Sequence, residues 1–262
     1  MSGHNKWSTI KHKKSAADAK KGKLFTRLAK EIIVAARDGS DDLTANPRLR
    51  AAVDAAKNVN MPNANIEKAI KRGTGELEGS YYEEYTYEGY GPGGVAILVE
   101  VMTDNKNRTV AEVRHLFTKY DGSLAETGAV SWIFEQKGYI LLDPPSMNED
   151  EAIMVAIEAG AEDANLISID EVDQDVLEIQ SKEGGGGEVN EGSRLLEIYT
   201  AVQDFHKVQD YLESNDYPII KSELTRIPKN VIKVNDGSDK LMKLLDKLED
   251  LDDIQKVFAN IE

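Results

Sequence analysis

The sequence predicts a multidomain α+β protein, in which an N-terminal three-helix domain precedes two βαββαβ-like α+β domains, one inserted in the other. Three observations support this fold class. The chain has 262 residues, more than a single domain usually holds. Apolar residues recur at helical spacing between residues 24 and 73, and short β-branched apolar runs alternate with helical patterns after residue 94. We predict domains at 1–75, at 81–137 with 222–262, and at 138–221.

The chain begins with a strongly basic segment. Residues 1–23 contain seven lysines against one acid, Asp18, and they show little apolar periodicity that could pack them onto a core. This pattern predicts a partly mobile basic arm.

Three helices are predicted after the arm. An apolar stripe from Leu24 to Ala36 has the spacing of an amphipathic helix. Asn46 is a typical N-cap, and Pro47 suits the first turn of a second helix that ends by Pro62. A third, short helix follows and stops at Gly73. Together they predict a small bundle with a basic outer face.

Residues 73–94 are rich in glycine and acids and break the helical pattern, which predicts a linker and a domain boundary. The glycines of EGYGPGG, residues 88–94, precede a strand. A dinucleotide-binding loop instead follows a strand and opens a helix. We therefore favour a tight turn over a cofactor loop. The aromatic and glycine composition is also compatible with a surface that docks a partner.

The discontinuous α+β domain is predicted from six segments. They are the strand Val95–Met102, a helix from Val110 to Tyr120, the strand Ala129–Phe134, the strand Ser222–Ile227, the helix Leu241–Leu248 and the strand Ile254–Ile261. The apolar residues of the last segment are spaced for a helix, so its assignment as a strand depends on completing the fold.

The inserted domain is predicted from a second series. It contains a strand at Tyr139–Leu142, a helix at Ile153–Ile157, strands at Leu166–Ile169, Val176–Ile179 and Leu195–Val202, a helix at Val208–Leu212 and a closing strand at Pro218–Ile220. The tract EGGGGE, residues 183–188, predicts a flexible hairpin tip.

Composition excludes several classes of protein. The absence of cysteine excludes disulfides, thiolate zinc sites and cysteine nucleophiles, and it is compatible with a reducing cytosol. No run approaches the roughly 18 apolar residues of a membrane-spanning helix. The basic start lacks the apolar stretch of a secretory signal. We expect a cytoplasmic protein with no membrane partner.

Charge is divided unevenly along the chain. The net charge is −15, yet residues 1–75 carry 16 Lys/Arg and 7 Asp/Glu, giving +9, and the rest carries −24. Asymmetry of this size predicts a nucleic-acid contact at the basic end. The alternative is a basic helical face that is merely solvated.

The candidate contact residues lie in the arm and on the helices. Lysines neutralise phosphates, and the Trp7 indole either stacks on an unpaired base or packs onto the helical bundle. The candidates are His4, Asn5, Lys6, Trp7, Lys11, His12, Lys13, Lys14, Lys20, Lys21, Lys23, Arg27, Lys30, Arg48, Arg50, Lys71 and Arg72.

Catalysis is not indicated. His4, His12, His115 and His206 show no metal-ligand spacing, and structural roles are favoured for the last two. No pair of carboxylates and no nucleophile motif suggests acid–base or covalent chemistry. We predict a protein that is not an enzyme and has no metal, cofactor or small-molecule substrate.

Long motifs carry a resemblance to a known family. They are GHNKW (3–7), DAKKGK (18–23), NPRLRAAVDAAK (46–57), MPNANIEKAIKRG (61–73), YEGYGPGG (87–94), DNKNRTVAEVRHLF (104–117), GSLAETGAVSWIF (122–134) and AGAED (159–163). With these motifs the chain closely resembles the YebC/PmpR family over nearly its entire length, least well around residues 180–193.

The resemblance implies a helical N-terminal domain, two α+β domains with one inserted in the other, and a cytoplasmic regulator of gene expression. Bacterial members are commonly described as DNA-binding transcriptional regulators. Others, with the related mitochondrial translational activator of cytochrome c oxidase, resemble ribosome-associated factors that aid synthesis of difficult stretches such as consecutive prolines.

Three functional hypotheses follow. Duplex DNA binding is motivated by the +9 segment. RNA or ribosome binding is motivated by a basic arm joined to an acidic body, which would be repelled from a long duplex but could face basic ribosomal proteins. The third is an enzyme or a pure protein-interaction scaffold. Neutralising Lys6, Lys11, Lys13 and Lys14 together should abolish function under the first two hypotheses only.

Overall fold

The computed structural model describes residues 17–143, 147–169, 194–234 and 237–261. The described chain divides into two compact units. One contains residues 17–133 and 232–261, and the other lies between residues 134 and 231. The predicted arm up to residue 16, the strand Val176–Ile179 and the hairpin tip at 183–188 lie outside the described residues.

Three helices open the first unit: α1 (Ala17–Asp38), α2 (Pro47–Asn58) and α3 (Asn63–Gly73). Their apolar faces meet in a core that includes Ile32, Leu49 and Ile66. Helix α1 begins within the segment that the sequence predicted as arm, so that part of the prediction is wrong. Each helix buries its apolar stripe against the other two, and this tertiary packing contributes most of the stability of the helices.

The predicted signals at the helix ends are present. The Asn46 side chain accepts a hydrogen bond from the Leu49 amide at 3.0 Å, and Pro47 occupies the first turn of α2. Gly73 ends α3 as predicted, but packing is what requires a glycine there. A Cβ at this position would lie 2.5 Å from the carbonyl oxygen of Ile33, so the glycine permits the close approach of α1 and α3.

A four-stranded antiparallel sheet completes the first unit, in the order β3-β1-β2-β8. Its strands are β1 (Glu83–Tyr90), β2 (Ala96–Thr103), β3 (Ser123–Leu124) and β8 (Ile254–Ala259). Helices α4 (Lys106–Lys119) and α7 (Ser238–Glu249) accompany it. The strand prediction for the last segment is confirmed. Its helix-like spacing arises because side chains on both faces of β8 are buried.

Strand β1 occupies residues that the sequence predicted as linker. The glycines and acids of this segment led to the wrong prediction, because Gly89 and Glu88 lie in a strand that packs against other parts of the unit. A Cβ on Gly89 would lie 2.5 Å from the Phe117 ring, so glycine allows α4 to lie close to β1. The Glu88 side chain is buried and hydrogen-bonded.

The described residues of the second unit have the element order βαββαβ. Its strands are β4 (Phe134–Leu142), β5 (Asp163–Ser168), β6 (Arg194–Thr200) and β7 (Ile219–Pro228), and its helices are α5 (Glu149–Ala159) and α6 (Phe205–Ser214). The sheet is antiparallel in the order β5-β6-β4-β7. A core that includes Ile140, Ala156 and Val208 lies between the sheet and the two helices. The predicted α+β class is confirmed.

One strand prediction at the edge of this unit is wrong, and a second predicted strand is present but belongs to a different sheet from the one expected. Ser131–Ile133 forms a 3-10 turn, and β4 begins at Phe134. Residues 222–227, expected in the other sheet, lie in β7 and pair with β4. Because β7 continues from Ile219 without interruption, it takes these residues into the second sheet.

Candidate nucleic-acid interface

The arm residues predicted to contact nucleic acid lie outside the described part of the chain. They are His4, Asn5, Lys6, Trp7, Lys11, His12, Lys13 and Lys14. Lys20 lies in helix α1, where the structure describes only its backbone. The arrangement of the remaining candidates is set by the three helices.

Lys30 is directed into the protein. Its ammonium donates hydrogen bonds to Asp253 Oδ1 at 2.8 Å, to the Asp252 carbonyl at 2.8 Å and to the Met102 carbonyl at 3.2 Å. The side chains of Lys30 and Asp253 are 6% and 8% exposed. A buried ammonium with these partners is not available to a phosphate. Lys30 therefore stabilises the fold and does not contact a ligand.

Asp253 gathers a wider set of donors. Its second carboxylate oxygen accepts from Thr103 at 3.0 Å, from Thr109 at 2.7 Å and from Arg108 at 2.7 Å. Burial raises the pKa of Asp253, but the hydrogen bonds from Arg108, Lys30 and Thr109 outweigh burial and hold that pKa well below its usual range. The carboxylate is therefore a fixed anion between α1, α4 and β8.

Two other cations of α1 face the end of helix α7. Lys23 Nζ lies 3.1 Å from the Asp250 carboxylate and 3.0 Å from its carbonyl oxygen. Arg27 donates to the carbonyl of Glu249. Lys23, Arg27 and Lys30 are spaced four and three residues apart, so one stripe of α1 meets the acidic segment that follows α7.

Arg48 is also paired. Its guanidinium lies 2.9 Å from Glu31 and 2.6 Å from Glu84. Burial lowers the pKa of Arg48, but hydrogen bonds to Glu84 and Glu31 outweigh burial and raise it above its ordinary value. This arginine joins α1 and α2 to strand β1.

A second group of cations is exposed on the helices. Lys21, Arg50, Lys71 and Arg72 are exposed, as is Lys68, which lies one turn before Arg72. Within the described ranges, Arg50, Lys71 and Arg72 form no side-chain ion pair. The predicted set thus divides into cations that hold the fold together and cations that face solvent.

A groove between α1 and α3 brings some of the exposed cations beside an aromatic ring. Its volume is ≈ 260 Å³. The residues that line it are Phe25, Thr26, Ala29, Met61, Asn65, Lys68, Ala69 and Arg72. Its floor is apolar and its rim is basic. Of this set only Arg72 is among the predicted site residues, because Phe25 belongs to the apolar stripe and no local pattern indicates that α3 lies next to it.

A loop in the first sheet is fixed by a buried carboxylate. Glu88 accepts backbone hydrogen bonds from Gly128 at 2.7 Å, Val130 at 2.6 Å and Ser131 at 2.8 Å. Burial raises the pKa of Glu88, but the three backbone donors outweigh burial and lower it. The exposed side chains of Tyr90 and Trp132 both donate to the Ala129 carbonyl, at 3.1 Å and 3.0 Å. No signal in the sequence distinguished Glu88 from Glu83 and Glu84, the other acids of β1.

Within the described ranges, no group of His, Cys, Asp or Glu could hold a metal ion. His115 is exposed on α4, and His206 lies beside Phe205 at the start of α6. None of the helices described is long and apolar enough to cross a bilayer.

Comparison with known proteins matches almost the whole chain. The family model described as "TACO1/YebC protein N-terminal domain" matches residues 5–76. The model described as "TACO1/YebC second and third domain" matches residues 82–261. The two matches meet in the segment between α3 and β1.

The similar proteins match this chain over nearly its whole length and over nearly the whole of their own. A protein of Dictyoglomus turgidum named "Probable transcriptional regulatory protein" is 52% identical over 265 residues, covering 100% of this chain and 96% of its own. A protein of Desulfosudis oleivorans with the same name is 49% identical over 261 residues, covering 99% and 96%. The crystal structure of a conserved hypothetical protein from Aquifex aeolicus has a TM-score of 0.78 at 45% identity, covering 97% of this chain and 95% of its own.

Proposed function

The chain belongs to the TACO1/YebC family, and from that premise we propose that it is a non-enzymatic, nucleic-acid-binding regulator of gene expression. In this proposal the first 75 residues contact the nucleic acid. The acidic remainder, which phosphates repel, takes no part in the contact.

The observation that carries the proposal is the division of charge. The first 75 residues carry +9 and the rest −24. Although Lys30, Arg27 and Arg48 are engaged within the fold, exposed cations remain on α2 and α3. Fixed, unpaired cations release counterions from a polyanion on binding, which is the main source of affinity for nucleic acids.

DNA is the first target that we propose. Relatives such as the Dictyoglomus turgidum protein carry the name of a probable transcriptional regulatory protein. The +9 segment supports attraction to a duplex at low ionic strength. In this reading the protein acts at promoters in the cytoplasm.

RNA, in the setting of a ribosome, is the second target. A body of −24 is repelled by a long, open duplex, but it tolerates a confined RNA cleft that is lined in part by basic proteins. The groove beside Phe25 favours this reading, because its apolar floor suits an unpaired base.

The proposal that the protein is not an enzyme is supported by where two of its buried carboxylates lie. The carboxylates of Asp253 and Glu88 both have lowered pKa values, and each is saturated by donors from its own fold. A catalytic acid or base needs an open face toward a substrate. These two groups serve structure instead.

Crosslinking in living cells, followed by sequencing of the attached DNA and RNA, tests the proposal. Enrichment of promoter DNA supports the first target, and enrichment of ribosomal RNA supports the second. Recovery of neither above the level of an unrelated acidic protein would contradict nucleic-acid binding altogether.

A further inference from the structure

We propose that the groove between α1 and α3 binds a single unpaired nucleotide, with the base on its apolar floor and the phosphate at its basic rim. This inference rests on the proposed function and deepens it. It assigns the ligand class as single-stranded, in RNA or DNA, rather than as base-paired duplex.

The floor of the groove suits the face of a base. Phe25 is partly buried against the helical core and also lines the groove, so its ring is held in place. Ala29 and Ala69 are small and leave room above it, and Met61 supplies a polarisable neighbour. Stacking on an aromatic ring is tolerant of sequence because every base has a π-face.

The rim supplies charge and a polar group. Asn65, Lys68 and Arg72 line the same side of α3, at the three- and four-residue spacing that puts side chains on one helix face. Lys21 Nζ lies 5.5 Å from the centre of the Phe25 ring. Cations around an aromatic ring match a nucleotide, in which a phosphate is held a short distance from a planar base.

The rim cations are not used elsewhere in the described chain. Within those ranges neither Lys68 nor Arg72 has a side-chain ion pair, and Asn65 has no side-chain hydrogen bond. In contrast, Lys23, Arg27 and Lys30, on the α1 stripe that faces α7, are all engaged. Among the described residues, Asn65, Lys68 and Arg72 are therefore exposed polar groups that lie beside the apolar floor.

The shape of the site excludes a duplex from its floor. A base can lie flat against a ring in a concave groove of ≈ 260 Å³ only when it is neither stacked nor paired with its own neighbours. A duplex could still touch Lys68 and Arg72 through phosphates, but it would gain nothing from Phe25. The ring therefore separates the two ligand classes.

Fluorescence anisotropy of the full-length protein at one fixed salt concentration tests this assignment. The probes are a labelled single strand, made once as RNA and once as DNA, and a duplex of the same sequence. The Phe25→Leu variant keeps apolar volume but removes the ring, and Phe25→Tyr keeps the ring. Thermal unfolding of both variants checks that they are folded.

We expect Phe25→Leu to weaken single-strand binding about tenfold on at least one of the two backbones and to change duplex binding less than about twofold. The backbone that responds identifies the source of the nucleotide. Phe25→Tyr should retain the affinity of the natural protein. Equal losses on strand and duplex, loss with both variants, or no loss with Phe25→Leu would overturn the inference.

A matched pair of charge variants completes the test. Lys68→Gln with Arg72→Gln should weaken every probe, whereas Lys57→Gln with Lys119→Gln removes the same charge outside the groove and should have a smaller effect. Equal effects of the two pairs would contradict a site at this rim. If the natural protein binds no probe, the proposed function itself fails, and if it binds without responding to Phe25→Leu, only this inference fails.

Discussion

Lys30 and Asp253, 223 residues apart in the chain, form a buried ion pair with 2.8 Å between the ammonium nitrogen and Oδ1. The pair joins helix α1 to the turn that enters strand β8. Because it lies inside one compact unit, it fixes the N-terminal helices to the first sheet. The basic helices are therefore attached to this sheet, while their remaining cations stay exposed.

Removing the ammonium should destabilise the protein. Lys30→Met leaves the Asp253 carboxylate buried with fewer donors, and we expect a loss of about 3 kcal/mol in the free energy of unfolding, the usual cost of breaking a buried pair. Urea denaturation measures the loss. Lys57→Met, at an exposed position, is the control and should change stability by less than about 0.5 kcal/mol. Equal stability of the two variants would contradict the pairing.

The same carboxylate predicts a dependence of stability on pH. The folded pKa of Asp253 lies below its ordinary value of about 3.8, so its contribution is complete above that value and is lost as the pH falls below it. We expect Asp253→Asn to be less stable than the natural protein at pH 7, and the difference to shrink below about pH 4. Urea denaturation of both proteins across this range tests it. A difference that grows on acidification would contradict the sign.

The loop held by Glu88 should loosen when its anion is removed. Glu88→Gln replaces one acceptor oxygen by an amide donor that faces backbone N–H groups, and we expect a loss of about 1 to 3 kcal/mol. Amide hydrogen exchange at Val130 and Ser131 should accelerate. Glu126→Gln, an exposed change in the same loop, should leave that exchange unchanged. Unaltered protection at both amides in Glu88→Gln would show that the carboxylate does not hold the loop.

Exposed cations on the helices should set the salt dependence of nucleic-acid binding. For a duplex, each lost phosphate contact lowers the slope of log affinity against log salt by about 0.9. We expect Arg50→Gln with Lys71→Gln to reduce that slope, and a change at Lys119, outside the three helices, to leave it nearly unaltered. A titration from low to moderate salt measures the slopes. Identical slopes in all three proteins would exclude Arg50 and Lys71 from the contact.

Local chemistry made much of the fold predictable. Asn46 and Pro47 indicate where α2 begins, and the spacing of the apolar residues alone predicts the three helices. Composition misassigned β1, because Gly89 and Glu88 look like linker residues until α4 and the loop at 128–131 are packed against them. Strand β7 was divided because pairing with β4, rather than its own sequence, determines its length.

The candidate site was less predictable, since it depends on contacts between distant segments. The sequence identifies Arg27 and Lys30 as basic residues but does not show that the acidic end of α7 lies against them. It likewise places Phe25 on an apolar stripe without showing that Arg72 lies across a groove from it. Charge and composition identify the surface, whereas tertiary packing decides which cations remain on it.

The central claim is that the first 75 residues make the nucleic-acid contact. Ultraviolet crosslinking of the full-length protein to nucleic acid, followed by mass spectrometry of the nucleotide-bearing peptides, tests it most directly. We expect adducts in peptides from residues 1–75, including the segment of α3, and none in peptides from the second unit. Adducts concentrated in residues 134–231 would contradict it.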